Sequence, residues 1–118
     1  RTLRETALAL FQANDLKSFK AKALEFKNDP ANMYQSIEAD INSFGYRLVA
    51  MQKIDEAIEM FKVNIELYPN SANAFDSLGE ALANAGKRDE AIRAYEKALA
   101  IDPKFQSAVD AMKRLKGN

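Results

Sequence analysis

Residues 72–105 read ANAFDSLGEALANAGKRDEAIRAYEKALAIDPKF, and this stretch decides the fold. Apolar residues recur at helical spacing on both sides of Gly86, which is typical of two amphipathic helices joined by a turn. A weaker copy lies directly upstream: Gly45 returns as Gly79, and the Asp-Glu-Ala-Ile of 55–58 returns at 89–92 with the same offset. The offset is 34 residues, and a period of this length predicts an array of helical pairs.

The regular repeats account for about two-thirds of the chain, and the rest is less regular. We expect a single domain over 1–118 with a degenerate helical hairpin over 1–30, a linker or helix extension over 31–37, repeats over 38–71 and 72–105, and a C-terminal capping helix over 106–118. About seven helices and no strand result. The predicted class is all-α, an antiparallel helix-hairpin solenoid.

The apolar positions predict which faces pack together. The first hairpin presents Leu3, Ala7, Leu10 and Phe11, and then Leu16, Phe19, Ala23 and Phe26. The first repeat presents Ile37, Ile41, Phe44, Leu48 and Met51, and then Ile54, Ile58, Phe61, Ile65 and Tyr68. The second repeat presents Phe75, Leu78 and Leu82, and then Ala91, Ile92, Tyr95, Ala98 and Leu99. The last helix presents Phe105, Ala108, Val109, Met112 and Leu115.

The signals for helix ends are less uniform than the apolar stripes. The first repeat has two candidate helix starts, Asn32 and Ser36, whereas Ser71 is the expected N-cap of the second repeat. Gln52 occupies the place of Gly86 between the two helices of a pair. Its turn must therefore differ in shape or accept a strain of about 1 kcal/mol.

Residues 38–105 resemble the tetratricopeptide repeat family. The resemblance is carried by the small residues Gly79 and Ala91, the aromatic Tyr95, and Ala98 and Pro103. It implies a right-handed superhelix in which Gly79 and Ala91 let two helices approach closely. Asn64 departs from the pattern because it stands where the later copy has Ala98, and we expect its amide to bond near Asp76 or Ser77.

The same resemblance implies a function, which is to bind a peptide or helix segment of another protein in a concave groove. The first helix of each pair would line that groove, with these residues: Asn42, Tyr46, Val49, Ala50, Asn73, Asp76, Glu80, Ala83 and Asn84. Tetratricopeptide modules that bind acidic chaperone tails hold the terminal carboxylate with cations at these places. The corresponding positions here hold Asn42, Ser43, Asn73, Asp76 and Ser77, with no cation among them, so we expect no binding of an acidic C-terminal tail. An ordinary solvated surface is the alternative.

Residues 64–81 also resemble, more weakly, the tetratricopeptide tails of bacterial serine hydrolases of penicillin-recognising or esterase type. That resemblance implies a non-catalytic structural or self-association appendage of a larger bacterial enzyme, in the cytoplasm or periplasm. The catalytic signatures of such enzymes are absent from the sequence. The chain begins at Arg1 without a methionine, so we expect an excised domain or a processed product.

Composition excludes several functional classes. The 118 residues include 17 basic and 17 acidic side chains, so no net charge favours a nucleic acid or an anionic membrane as partner. Cysteine and histidine are both absent, which removes the commonest nucleophile, general base and metal ligands. We expect no enzymatic activity, no cofactor and no metal, and a protein partner or a homodimer. The carboxylates at residues 55–56 and 89–90 are interpreted as favourable charges at helix starts.

Overall fold

Each of the two regular repeats folds into a pair of α-helices joined by a short connection. The structure is a computed structural model that describes residues 15–32 and 36–117, together with Ala9. The predicted helix over residues 3–14 lies outside these residues, apart from Ala9. The described residues contain six α-helices and no strand, as the all-α prediction requires: α1 (Leu16–Asn28), α2 (Glu38–Ala50), α3 (Ile54–Leu67), α4 (Ala72–Asn84), α5 (Arg88–Ile101) and α6 (Gln106–Leu115).

The helices begin close to the expected positions. The Ser71 hydroxyl accepts a hydrogen bond from the Ala74 backbone N–H at 3.1 Å, which confirms the predicted N-cap of α4. Neither candidate start is the N-cap of α2, because Ile37 holds that position without a side-chain cap bond. Ser36 lies one residue before it, and its Oγ accepts from the Glu38 N–H at 3.1 Å. A short 3₁₀ turn at Pro30–Asn32 follows α1 and ends it near the predicted stop.

The two connections within the helix pairs have the same shape despite their different sequences. Gln52 has φ 65° and Gly86 has φ 78°, so both residues adopt the left-handed backbone conformation. The residue after each of them closes the turn: Lys53 N–H donates to the Leu48 carbonyl at 2.8 Å, and Lys87 N–H to that of Leu82 at 2.9 Å. Gln52 therefore accepts the strain that glycine avoids.

Each pair closes around one glycine and one aromatic ring. A β-carbon on Gly45 would lie 2.3 Å from the ring of Phe61, and one on Gly79 would lie 2.8 Å from the ring of Tyr95. We expected Ala91 to be the neighbour that requires glycine at position 79. Ala91 is fully buried, but the nearest atoms to the added carbon belong to Tyr95, so the aromatic side chain sets the requirement.

The predicted core is largely confirmed, with one clear error on α2. Ile37, Ile41, Phe44 and Leu48 are buried, but Met51 is 52% exposed because it lies in the turn after the helix has ended. Helix α3 buries more than its predicted stripe, since α1 covers a second side of it. The additional buried apolar residues of α3 are Ala57, Met60, Val63 and Leu67.

Asn64 is fully buried and its partner differs from the prediction. Its Nδ2 donates to the Glu38 backbone carbonyl at 3.2 Å, at the start of the preceding helix α2. The expected partners near Asp76 or Ser77 belong instead to a separate set of hydrogen bonds. Asn64 therefore joins α3 to α2 within one repeat, and its Oδ1 is buried without a hydrogen-bond partner.

The outer helices pack on the repeats at either end. Helix α1 contacts α3, where Lys20 pairs with Glu66 at 2.9 Å, and Phe19 meets Phe44 of α2 edge to face at 5.8 Å. Helix α6 contacts α5 and buries Ala108 and Ala111. None of the helices that the structure describes is long and apolar enough to cross a membrane.

Candidate functional site

The candidate site lies on the first helix of each successive unit. Helix α4 contacts α2 on one side and α6 on the other, so side chains from three units can meet on one surface. The nine residues predicted to line a groove all fall on α2 and α4. Ser77, Ser107, Asp110 and Arg114 join them through their interactions or because they occupy equivalent positions of the repeat. We call these thirteen residues the shared surface.

A chain of hydrogen bonds links α2 to α4. Ser77 Oγ donates to Asn42 Oδ1 at 2.6 Å, and the Tyr46 hydroxyl lies 3.3 Å from Ser77 Oγ. The same hydroxyl donates to Glu80 Oε2 at 2.6 Å. These hydrogen bonds hold the side chains of Asn42, Tyr46, Ser77 and Glu80 together in fixed positions.

Tyr46 is positioned by the hydrophobic core, although its hydroxyl reaches the shared surface. Its ring meets that of Phe61 edge to face, with centroids 5.2 Å apart. Burial raises the pKa of Tyr46 well above its usual range, and the hydrogen bond to Glu80 adds to this effect. The hydroxyl therefore keeps its proton at neutral pH and acts as a donor.

Asp76 links α4 to α6 but keeps one oxygen without a partner. Ser107 Oγ donates to Asp76 Oδ2 at 2.9 Å, whereas Oδ1 is buried and has no hydrogen-bond partner. The residue is only 5% exposed. Burial raises the pKa of the Asp76 carboxyl and nearby Glu80 also raises it, while the Ser107 bond and Arg114 lower it.

The charge of Asp76 also reaches the core beneath it. Burial raises the pKa of Tyr95 to about 12, and the negative charges of Asp76 and Glu80 contribute in the same direction. Tyr95 is the ring that packs against Gly79. The two carboxylates therefore lie close enough to the packed centre of the second repeat to influence it.

The other predicted residues extend the surface without joining these hydrogen bonds. Val49 and Ala83 are half-buried, and Ala50, Asn73 and Asn84 are exposed. They are small or polar, so they leave room above the backbone of α2 and α4. The shared surface carries the carboxylates of Asp76, Glu80 and Asp110 and one guanidinium, that of Arg114.

Sequence reasoning missed the contribution of α6. Ser107 and Arg114 lie one repeat period after Asn73 and Glu80, respectively. Continuing the period into the last helix would therefore have identified both residues. The predicted list stopped at α4 because α6 was treated only as a cap.

A cavity lies between α1 and α3, away from the shared surface. Its volume is about 190 Å³, and its apolar lining comes from Leu16, Phe19, Met60 and Val63. This is smaller than the roughly 300 Å³ at which ligand pockets usually begin. Among the described residues, no group of three carboxylates is arranged to hold a metal ion.

Comparison with known proteins supports the helical-repeat fold. Residues 72–114 match the family model of the tetratricopeptide repeat. No curated protein matches the chain. The crystal structure of MamA is similar, with a TM-score of 0.66 and 24% identity, over 97% of this chain and 67% of that chain.

Two domains of RPAP3 are similar as well. The first TPR of Spaghetti (RPAP3), bound to the HSP90 peptide SRMEEVD, has a TM-score of 0.64 and 17% identity, over 98% of this chain and 90% of that chain. The second TPR domain of human RPAP3, in complex with the HSP70 peptide SGPTIEEVD, has a TM-score of 0.64 and 21% identity, over 97% and 92%. Residues 72–114 thus match a tetratricopeptide repeat, and the helical pairs have the same fold as these solved structures.

Proposed function

We propose that the shared surface binds a peptide or helical segment of another protein. The observation that carries this proposal is the set of hydrogen bonds joining Asn42, Ser77, Tyr46 and Glu80 across α2 and α4. These bonds fix the polar side chains before a partner arrives, so little conformational entropy is lost when it binds. The peptides bound to the two RPAP3 domains support a role of this class through the shared fold.

The shared surface fits an extended segment better than a small compact ligand. Its polar groups are spread over three helices, and the small residues Ala50 and Ala83 lie at the C-terminal ends of α2 and α4. A peptide can satisfy its backbone N–H and carbonyl groups on such a row of side chains. We propose no catalytic role for these residues.

The test uses fluorescein-labelled nine-residue peptides with capped ends and randomised sequence, titrated with the domain in fluorescence anisotropy. Ala50→Trp should weaken binding at least tenfold because the indole would occupy space on the exposed end of α2. Ala100→Trp is the matched control, since Ala100 is an exposed helical alanine on α5. Equal binding by both variants, or no saturable binding by the unmodified domain, would contradict the proposal.

The alternative is a structural or self-association appendage, including the proposed relation to bacterial serine hydrolase tails. Neither the family model nor the similar structures above support that relation. A concentration series in small-angle scattering separates the two functions. A monomer at all concentrations supports a free binding surface. A dimer that dissociates in Ala50→Trp and persists in Ala100→Trp would instead show that a second copy covers it.

A further inference from the structure

We propose that the bound segment carries a basic side chain, with arginine the best fit, placed against Glu80 and Asp76. This inference rests on the proposed function and specifies the chemistry of its partner. It starts from Asp76, which is 5% exposed and has one carboxylate oxygen without a donor. A buried acceptor without a partner is unfavourable, so a positive charge close to Asp76 would be stabilising.

Glu80 adds a second negative charge on the same face of α4. The two carboxylates are four residues apart, which places them one helical turn from each other. Their mutual repulsion is visible in the way Glu80 raises the pKa of Asp76. A cation placed between them would remove this repulsion.

The protein's own groups offset the negative charges of Asp76 and Glu80 only in part. Ser107 supplies one hydrogen bond to Asp76, and Tyr46 supplies one to Glu80. Arg114 favours the charged form of Asp76 and lowers its pKa, whereas burial and Glu80 raise it. Glu80 is exposed, so a group from outside can reach its side chain directly.

A guanidinium has the geometry that these two acceptors need. It is planar and offers five N–H donors, so it can bond to the exposed Glu80 while its positive charge offsets the charge of Asp76 one helical turn away. Lysine supplies the charge with less directional bonding. An acidic side chain at this place would meet two like charges and be rejected.

The experiment compares four peptide sets that are identical in length, label and end caps and differ only in the central residue: arginine, citrulline, glutamine or glutamate. Citrulline keeps the shape of arginine and removes its charge. The arginine set should bind about tenfold more tightly than the citrulline set, with the glutamate set weakest. Glu80→Gln should reduce the arginine preference to about threefold or less, and Asp76→Asn should reduce it as well.

The control variant is Glu96→Gln, which makes the same charge change at an exposed position of α5. It should leave the arginine preference intact. Equal affinities for all four sets, with binding still lost in Ala50→Trp, would overturn this inference and leave the proposed function standing. A preference for arginine that survives Glu80→Gln would also overturn it. Failure of every set to bind would overturn the proposed function itself.

Discussion

Gly79 and Tyr95 face each other so closely that a β-carbon on the glycine would lie 2.8 Å from both Cε1 and Cζ of the tyrosine ring. The same relationship recurs between Gly45 and Phe61 in the first repeat. Glycine costs up to about 1 kcal/mol in the middle of a helix relative to alanine. Close packing of the aromatic ring outweighs that cost, which explains the glycine in both helices.

Gly79→Ala should therefore destabilise the domain, although alanine is the better helix former. Tyr95 would have to move, and overpacking of this kind costs about 1–3 kcal/mol. Urea unfolding followed by circular dichroism measures the change. The loss should be smaller in a Tyr95→Leu background, where the ring is absent. A gain in stability from Gly79→Ala alone would show that the ring moves freely.

Gln52→Gly should stabilise the domain by about 1 kcal/mol, because the left-handed conformation strains a residue that has a β-carbon. Gln52→Ala is the control, since alanine keeps the β-carbon and should change little. Gly86→Ala, at the equivalent turn, should lower the stability of the domain by a similar amount. Thermal unfolding of the three variants tests the set. A gain with alanine equal to that with glycine would contradict the explanation by backbone strain.

Asn64→Asp should destabilise the domain by about 2–3 kcal/mol at neutral pH, because a carboxylate would replace the amide that donates to the Glu38 carbonyl. Burial would favour protonation of the new carboxyl, so the loss should shrink as the pH falls. Asn70→Asp, in an exposed turn, is the isosteric control and should have little effect. Unfolding free energies at pH 4 and pH 7 make the comparison. A loss independent of pH would exclude this mechanism.

Asp76→Asn should raise stability at neutral pH by about 1 kcal/mol while weakening binding of basic peptides. The folded pKa of Asp76 is raised by burial, so the folded state holds its proton more firmly than the unfolded chain does. The charged carboxylate therefore lowers stability as the pH rises above its usual value of 3.8. The gain from Asp76→Asn should disappear at low pH. A variant less stable than the parent at pH 7 would contradict the assignment.

The peptide SRMEEVD, which is bound in one similar structure, should not bind this domain. Asp76 and Glu80 lie on the shared surface, and an acidic chain end would meet charges of its own sign. Anisotropy titrations at low and high salt test this expectation, with the arginine-centred peptides as the positive control. Tight binding of SRMEEVD that is lost at high salt would show that cations such as Arg114 dominate instead.

The repeat period was sufficient to predict the all-α fold and most helix ends. The glycine that faces an aromatic ring makes the same contact in both repeats, Gly45 with Phe61 and Gly79 with Tyr95, so this contact could be transferred from one repeat to the other. The period could not predict the extra burial of Met60 and Leu67, because that depends on α1, which belongs to neither repeat. Nor could it predict the partner of Asn64, since the second repeat has no polar residue at that position to compare.

The candidate site was predicted only in outline. Helical spacing identified Asn42, Tyr46, Asp76 and Glu80 as neighbours on successive helices, but it could not show which pairs would bond. That depends on side-chain reach: Asn42 meets Ser77, and Asp76 meets Ser107. These bonds cross between units, and a pattern read within one repeat does not contain them.

Tyr46 and Glu80 occupy the same position in consecutive repeats, yet one is the donor and the other the acceptor of a single 2.6 Å hydrogen bond. The two modules are therefore complementary and cannot be interchanged. A shortened or duplicated gene product with two copies of the second module side by side would bring glutamate against glutamate at this joint. The contact between the two repeats therefore requires the first module to precede the second.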